Sequence, residues 1–137
     1  MNRKRLPNWA SNVNQTIEKW RYKKFCWGKN DCCNLIYDIE LSIYGQSDAT
    51  FLINNKYTNK TDAIELCKKN GYSNWIEYIA KNYQRIDKNF ATLGDIGLAK
   101  YNNLYSASVC IGSKYASVSE NGLVFFGNEN IKRTWRL

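Results

Sequence analysis

Histidine does not occur anywhere in this 137-residue chain. Its absence removes the side chain that most often serves as a general base near neutral pH, and with it any mixed Cys/His metal centre. Proline occurs once, and no Gly/Ser-rich stretch, repeat or low-complexity segment interrupts the chain. Nothing therefore divides it, and residues 1–137 are expected to form a single domain. No run approaches the ~20 apolar residues of a membrane-spanning helix. The basic start Met1-Asn2-Arg3-Lys4-Arg5 is followed by Leu6-Pro7-Asn8-Trp9 rather than an apolar core, which argues against a signal peptide. Without a secretion signal, the five cysteines (26, 32, 33, 67 and 110) are expected to be reduced. Their spacing matches no zinc site, so neither metal nor cofactor is expected.

What the chain does have is apolar residues (44%, aromatics 15%) enough for a core, and a net charge of +8 that is unevenly placed. Residues 1–30 carry Arg3, Lys4, Arg5, Lys19, Arg21, Lys23, Lys24 and Lys29 against Glu18 alone, leaving about +1 for the remainder. Such a segment suits an acidic surface: nucleic acid, an acidic neighbour protein or a cell-wall polymer. The plainer reading is a solvated helix face with a frayed tail. The aromatics between these charges recur at helical spacing, which belongs to a core more often than to a base-stacking platform.

Trp9, Val13, Ile17 and Trp20 predict a first helix, capped by Asn8 and running to about Lys24. After a turn at Trp27-Gly28, Asp31 or Asn30 caps a second helix to about Tyr44, with Leu35, Ile36, Ile39 and Ile43 as its stripe and Gly45 as its stop. Residues 46–60 read as an irregular connection. Asp62 with Glu65 resembles a capping box for a third helix ending near Asn70-Gly71, and Asn74 with Glu77 opens a short fourth. From about Arg85 the period changes to two. Strands are expected after Gly94-Asp95, over Leu104–Ile111, Tyr115–Ser119 and Leu123–Phe126, and near Ile131–Trp135, joined by tight turns as a meander. Helices first and an antiparallel sheet after them indicate an α+β fold.

The segment most suggestive of chemistry is Phe25-Cys26-Trp27-Gly28-Lys29-Asn30-Asp31-Cys32-Cys33. It places Cys32 at a helix start, where the dipole and free N–H groups favour a thiolate. Cys33 lies about 100° further round the axis, so only one of the two can face a cleft. Phe25-x-Trp27-Gly28-x-x-Asp31-Cys32, then Gly94-Asp95-Ile96 at a strand start, Val109-Cys110-Ile111-Gly112, Gly122-Leu123 and Trp135-Arg136 together resemble the NlpC-type branch of the papain-like cysteine peptidases. The nearest likeness is to small phage-encoded NlpC-like domains found with tail-assembly genes.

That resemblance implies a papain-like/NlpC-like fold, N-terminal helices packed on a small C-terminal antiparallel β-sheet. It implies Cys32 as the nucleophile, acting on amides of peptidoglycan stem peptides, with Asp31 and Asp95 nearby. The base would sit at about Ser106, where a serine hydroxyl cannot take a thiol proton. The expectation is therefore a virion component, in or beside a phage tail, made in the host cytoplasm and built on a degenerate peptidase. Its binding residues would be Trp27, Gly28, Arg3, Lys4, Arg5, Lys23 and Lys24, and its partners other virion proteins, a cell-wall peptide or a glycan. The rivals are an active cysteine amidase and a nucleic-acid-binding module using residues 1–30. Each site residue also has a plain alternative: Asp31 as an N-cap, Gly94-Asp95 as a turn, and Cys33, Cys67 and Cys110 as core packing.

Overall fold

The computed structural model describes residues 3–53 and 55–137. Met1 and Asn2 of the basic start, and one residue of the expected 46–60 connection, lie outside them. Helix α1 (Trp9–Trp20) forms on the predicted stripe and buries Val13, Ile17 and Trp20. It differs from expectation at both ends. The Asn8 side chain does not cap it but accepts from Asn12 Nδ2 at 3.3 Å. The helix also stops at Trp20 rather than Lys24, because the chain that follows it is paired to the hairpin of residues 115–126 instead. Leu123 N–H donates to Arg21 O (2.9 Å) and Phe25 N–H to Ser119 O (2.9 Å), which peels the chain away from the helix axis. Gly122 makes that approach possible, since a Cβ there would lie 2.5 Å from Arg21 O.

Helix α2 (Cys32–Tyr44) is capped by Asp31, whose side chain accepts from Asn34 N–H, and ends at Gly45 with φ 74°. A short 3₁₀ turn (Ala49–Leu52) interrupts the connection that follows. Helix α3 (Lys60–Lys69) begins three residues earlier than the Asp62/Glu65 pattern suggests. Asn59 is its cap, accepting from Asp62 N–H at 2.8 Å, while Asp62 reaches back to accept from Asn59 Nδ2 at 3.1 Å. Helix α4 (Trp75–Asn82) is capped by Asn74 as its sequence suggests.

Six strands follow: β1 (Gln84–Ile86), β2 (Ile96–Tyr101), β3 (Leu104–Cys110), β4 (Tyr115–Ser119), β5 (Gly122–Phe126) and β6 (Ile131–Arg136). Asn102 and Asn103 turn β2 into β3 with φ of 51° and 62°, the positive values a two-residue hairpin turn requires. The sheet is antiparallel with the order β1-β6-β2-β3-β4-β5. Strands β2 to β5 are the expected meander. Strand β6 departs from it, returning across the sheet to lie between β1 and β2.

The sheet has two unlike faces, set by strand alternation. Ile96, Leu98, Ala107, Val109, Ala116 and Trp135 face the helices and share one core with Val13, Ile17, Trp20, Leu35, Ile36, Ile39 and Ile43. Ala99, Cys110, Tyr115, Phe126 and Ile131 form a smaller cluster on the opposite face. The chain is thus α+β, four helices followed by a six-stranded antiparallel sheet. Among the described residues no helix is long and apolar enough to cross a membrane.

Candidate functional site

The loop before α2 is organised by one buried carboxylate. Asp31 is wholly inaccessible and each of its oxygens is doubly engaged. Oδ1 accepts from the backbone N–H of Asn34 (2.9 Å) and from Asn34 Nδ2 (2.9 Å). Oδ2 accepts from Gly28 N–H (2.8 Å) and from the Tyr57 hydroxyl (2.5 Å). Asp31 therefore does more than cap a helix: it ties the Trp27-Gly28 turn and the 55–57 segment to the helix start. Gly28 is required by the same geometry. Its φ is 80°, and a Cβ would stand 2.1 Å from Tyr57 O. Trp27 projects outward, 36% exposed, with its ring edge-on to Phe25 at 4.9 Å.

This loop delivers Cys32 to the first turn of α2, partly buried between the main core and a second cluster of Cys33, Leu52, Tyr57, Ala63 and Cys67. The two adjacent thiols separate as their angular offset requires. Cys33 points into the second cluster and is buried, while Cys32 retains access to solvent. Their acidities separate too. Cys32 is held below the ordinary thiol range, chiefly by the Cys33 thiol beside it and further by the backbone N–H groups of Ala107 and of Cys32 itself; burial and the Asp31 charge oppose this. Cys33 is pushed well above that range by its neighbour Cys32 and by burial. Burial and the charge of Cys32 push Cys67 up to about 11. Of the three thiols, Cys32 is the one whose surroundings favour the thiolate.

The residue of β3 that meets Cys32 is Ala107, one position from the expected Ser106. Ala107 belongs to the core against which Cys32 packs. Ser106 is on the opposite face: it pairs with Ala99 of the far cluster, and its hydroxyl accepts from Ser117 Oγ at 3.3 Å. Neighbouring residues of a strand take opposite faces, so Ser106 lies on the side of the sheet away from Cys32. The group of β3 that the thiol meets is thus the backbone N–H of Ala107, a residue whose side chain offers no proton acceptor.

Asp95 is also engaged away from the thiol. It is fully buried and accepts from Thr92 N–H (2.9 Å), Leu137 N–H (3.1 Å) and Arg136 Nε (3.3 Å), fastening the end of β6 to the start of β2. The Trp135-Arg136 pair has a structural explanation in these contacts.

The expected basic face is only partly available. Arg3 is bound by Asp48 (2.6 Å) and Gln46 O (3.2 Å), and Arg5 stacks on Trp9 while donating to Leu137 O (3.2 Å). Lys23 lies over the Trp20 ring at 4.8 Å. Lys4 and Lys24 face solvent, with Tyr22 82% exposed close by in sequence.

A second buried carboxylate, Glu40, was not anticipated. It accepts from Ser47 Oγ (2.9 Å), the Tyr78 hydroxyl (2.9 Å) and the Tyr83 hydroxyl, joining α2 to α4. Burial raises its pKa; the hydroxyl bonds and the charge of Arg3 restrain the rise. The signal was present, because Glu40 stands between Ile36, Ile39 and Ile43 on the apolar stripe. No group of three or more Cys, Asp or Glu among the described residues is arranged to hold a metal.

A search of curated proteins finds no match to the chain. The family model described as "Domain of unknown function (DUF6950)" matches residues 4–137, nearly the whole length. The chain belongs to the DUF6950 family.

Proposed function

We propose that this protein is a non-hydrolytic NlpC-like domain that serves as an interaction component of a phage particle, in or beside the tail. The observation that carries the reading is the pairing of Cys32 with Ala107. A thiol at a helix start packs against β3, as the resemblance implies, but meets an alanine there in a chain with no histidine. A general base contributes about 10²–10⁴-fold, and the same group must later protonate the leaving amine. Asp31 is saturated by four hydrogen bonds and Asp95 by the chain end, so neither carboxylate is free for that work. The exposed Tyr22, Lys24 and Trp27, presented on the rigid loop before α2, suit docking on an acidic neighbour.

One observation favours a second reading, a cysteine amidase: the environment of Cys32 stabilises its thiolate. Incubating the protein and its Cys32→Ala variant with peptidoglycan decides between them. The expected result is no release of stem-peptide fragments from either, together with recovery of the protein in assembled phage particles. Fragment release that depends on Cys32 would establish the enzyme, and absence from purified particles would remove the virion role.

A further inference from the structure

Of the N-terminal cations Arg3, Lys19 and Arg21 have carboxylate partners, while on the sheet a further group of cations gathers without any among the described residues. Between β1, the 3₁₀ turn Lys88–Phe90 and β6 lies an open cleft of about 580 Å³, whose wall carries Arg85, Lys88, Lys132 and Arg133. Arg85, Lys132 and Arg133 are exposed, and none takes part in an ion pair among the described residues. Elsewhere Arg3, Lys19, Arg21, Lys68, Lys81 and Arg136 each have a carboxylate within 4.0 Å. The single acid of the cleft, Asp87, is turned to its own loop, where Oδ1 accepts from Asn89 N–H at 2.8 Å.

Two features make this more than a diffuse positive surface. Arg85 and Arg133 are set by register on neighbouring strands: Arg85 stands opposite Trp135, two residues beyond Arg133, so the two arginines occupy diagonal positions on one face of the β1–β6 pair. Lys88 is fixed, its ammonium donating to Asn128 O (2.7 Å) and Ile131 O (3.2 Å), which orders that wall before any ligand arrives. Crowded like charges in a concave site repel one another, and a bound anion relieves the repulsion. Guanidinium forks match phosphate oxygens in pairs. The volume is that of a small-molecule site, and several cations in a row suit a ligand with several charges in a row.

We infer that the β1–β6 cleft is a binding site for a short phosphate chain, held by Arg85, Arg133 and Lys132 with Lys88 at its wall. The chain could be a free oligophosphate or the polyphosphate part of a nucleotide, and the experiment separates these sources. Calorimetric titration of the full-length protein with inorganic tripolyphosphate at low and physiological salt should give saturable binding at one site per chain. Arg85→Gln and Arg133→Gln should each weaken it about tenfold, as the loss of a charge-assisted contact requires. Lys69→Gln, exposed at the end of α3 and outside the cleft, should leave it unchanged, and the melting temperatures of all three variants should match the parent. Tighter binding of ATP than of tripolyphosphate assigns the site to a nucleotide; equal or weaker binding assigns it to the phosphate chain alone. Absence of saturable binding, or equal weakening by Lys69→Gln, would overturn the inference by reducing it to net charge.

Discussion

Replacing Asp31 with alanine tests the claim that one carboxylate organises the loop carrying Cys32. The cost can be built from its four bonds. Loss of the helix cap at Asn34 N–H is worth about 1 kcal/mol. The Gly28 N–H and the Tyr57 hydroxyl are buried and bond to the same oxygen; left without an acceptor, each costs about 1–3 kcal/mol. The Asn34 amide keeps Leu52 O at 3.3 Å and the Tyr57 oxygen at 3.4 Å, so its loss adds little. The sum is about 3–7 kcal/mol, a large share of the roughly 5–15 kcal/mol that holds a domain together. Urea unfolding followed by tryptophan fluorescence measures it directly, with the slope against denaturant checked for constancy. Asp31→Asn should fall between parent and alanine variant, because one acceptor oxygen survives while the new N–H₂ confronts a donor. A loss for Asp31→Ala of no more than about 1 kcal/mol would refute the reasoning, leaving Asp31 an ordinary cap.

Other expectations follow from the same contacts. Glu40 has a folded-state pKa above its unfolded value of 4.5, so the folded protein binds more protons between the two values and stability falls as pH rises through that window. Glu40→Gln should lose this slope between pH 4 and pH 7 in parallel unfolding experiments; an unchanged slope would place its origin elsewhere. In iodoacetamide labelling with peptide mapping, Cys32 should react with a midpoint below the ordinary thiol value of about 8.5. Buried Cys33 and Cys67 should stay unlabelled until the protein unfolds. Earlier reaction at Cys33 would reverse the assignment of the two thiols.

Features encoded by neighbouring residues were the ones legible in the sequence. The Asp31 and Asn74 caps, the Gly45 stop, the Asn102-Asn103 turn and most strand limits depend on a few adjacent side chains, and each appears where its residues place it. The third helix start was ambiguous for the same local reason. Asn59, Asp62 and Glu65 are spaced so that two overlapping capping patterns exist, and the chain uses the earlier. What could not be read depends on distant partners. The early end of α1 is dictated by β5, about a hundred residues later, and Arg3 and Arg5 look free until Asp48 and Leu137 are seen beside them. The site showed the same division. Cys32 stands in the first turn of the helix its pattern describes, whereas the faces that Ser106 and Ala107 take depend on the pairing of β3 with a distant strand.

The position of β6 bears on how the chain is made as well as how it is held. Ile96 and Gln84, on the strands either side of it, pair with Trp135 and Arg136, near the end of the last strand to be synthesised. Until those residues leave the ribosome, β2 presents a bare edge and β1 has nothing to pair with. The nascent meander therefore passes through a stage in which a row of open amides next to an apolar face is available to the wrong neighbour. Closure requires a strand to enter between two others over long sequence separations, the kind of contact that slows folding. Yield in a cell would then depend less on final stability than on how long that edge waits.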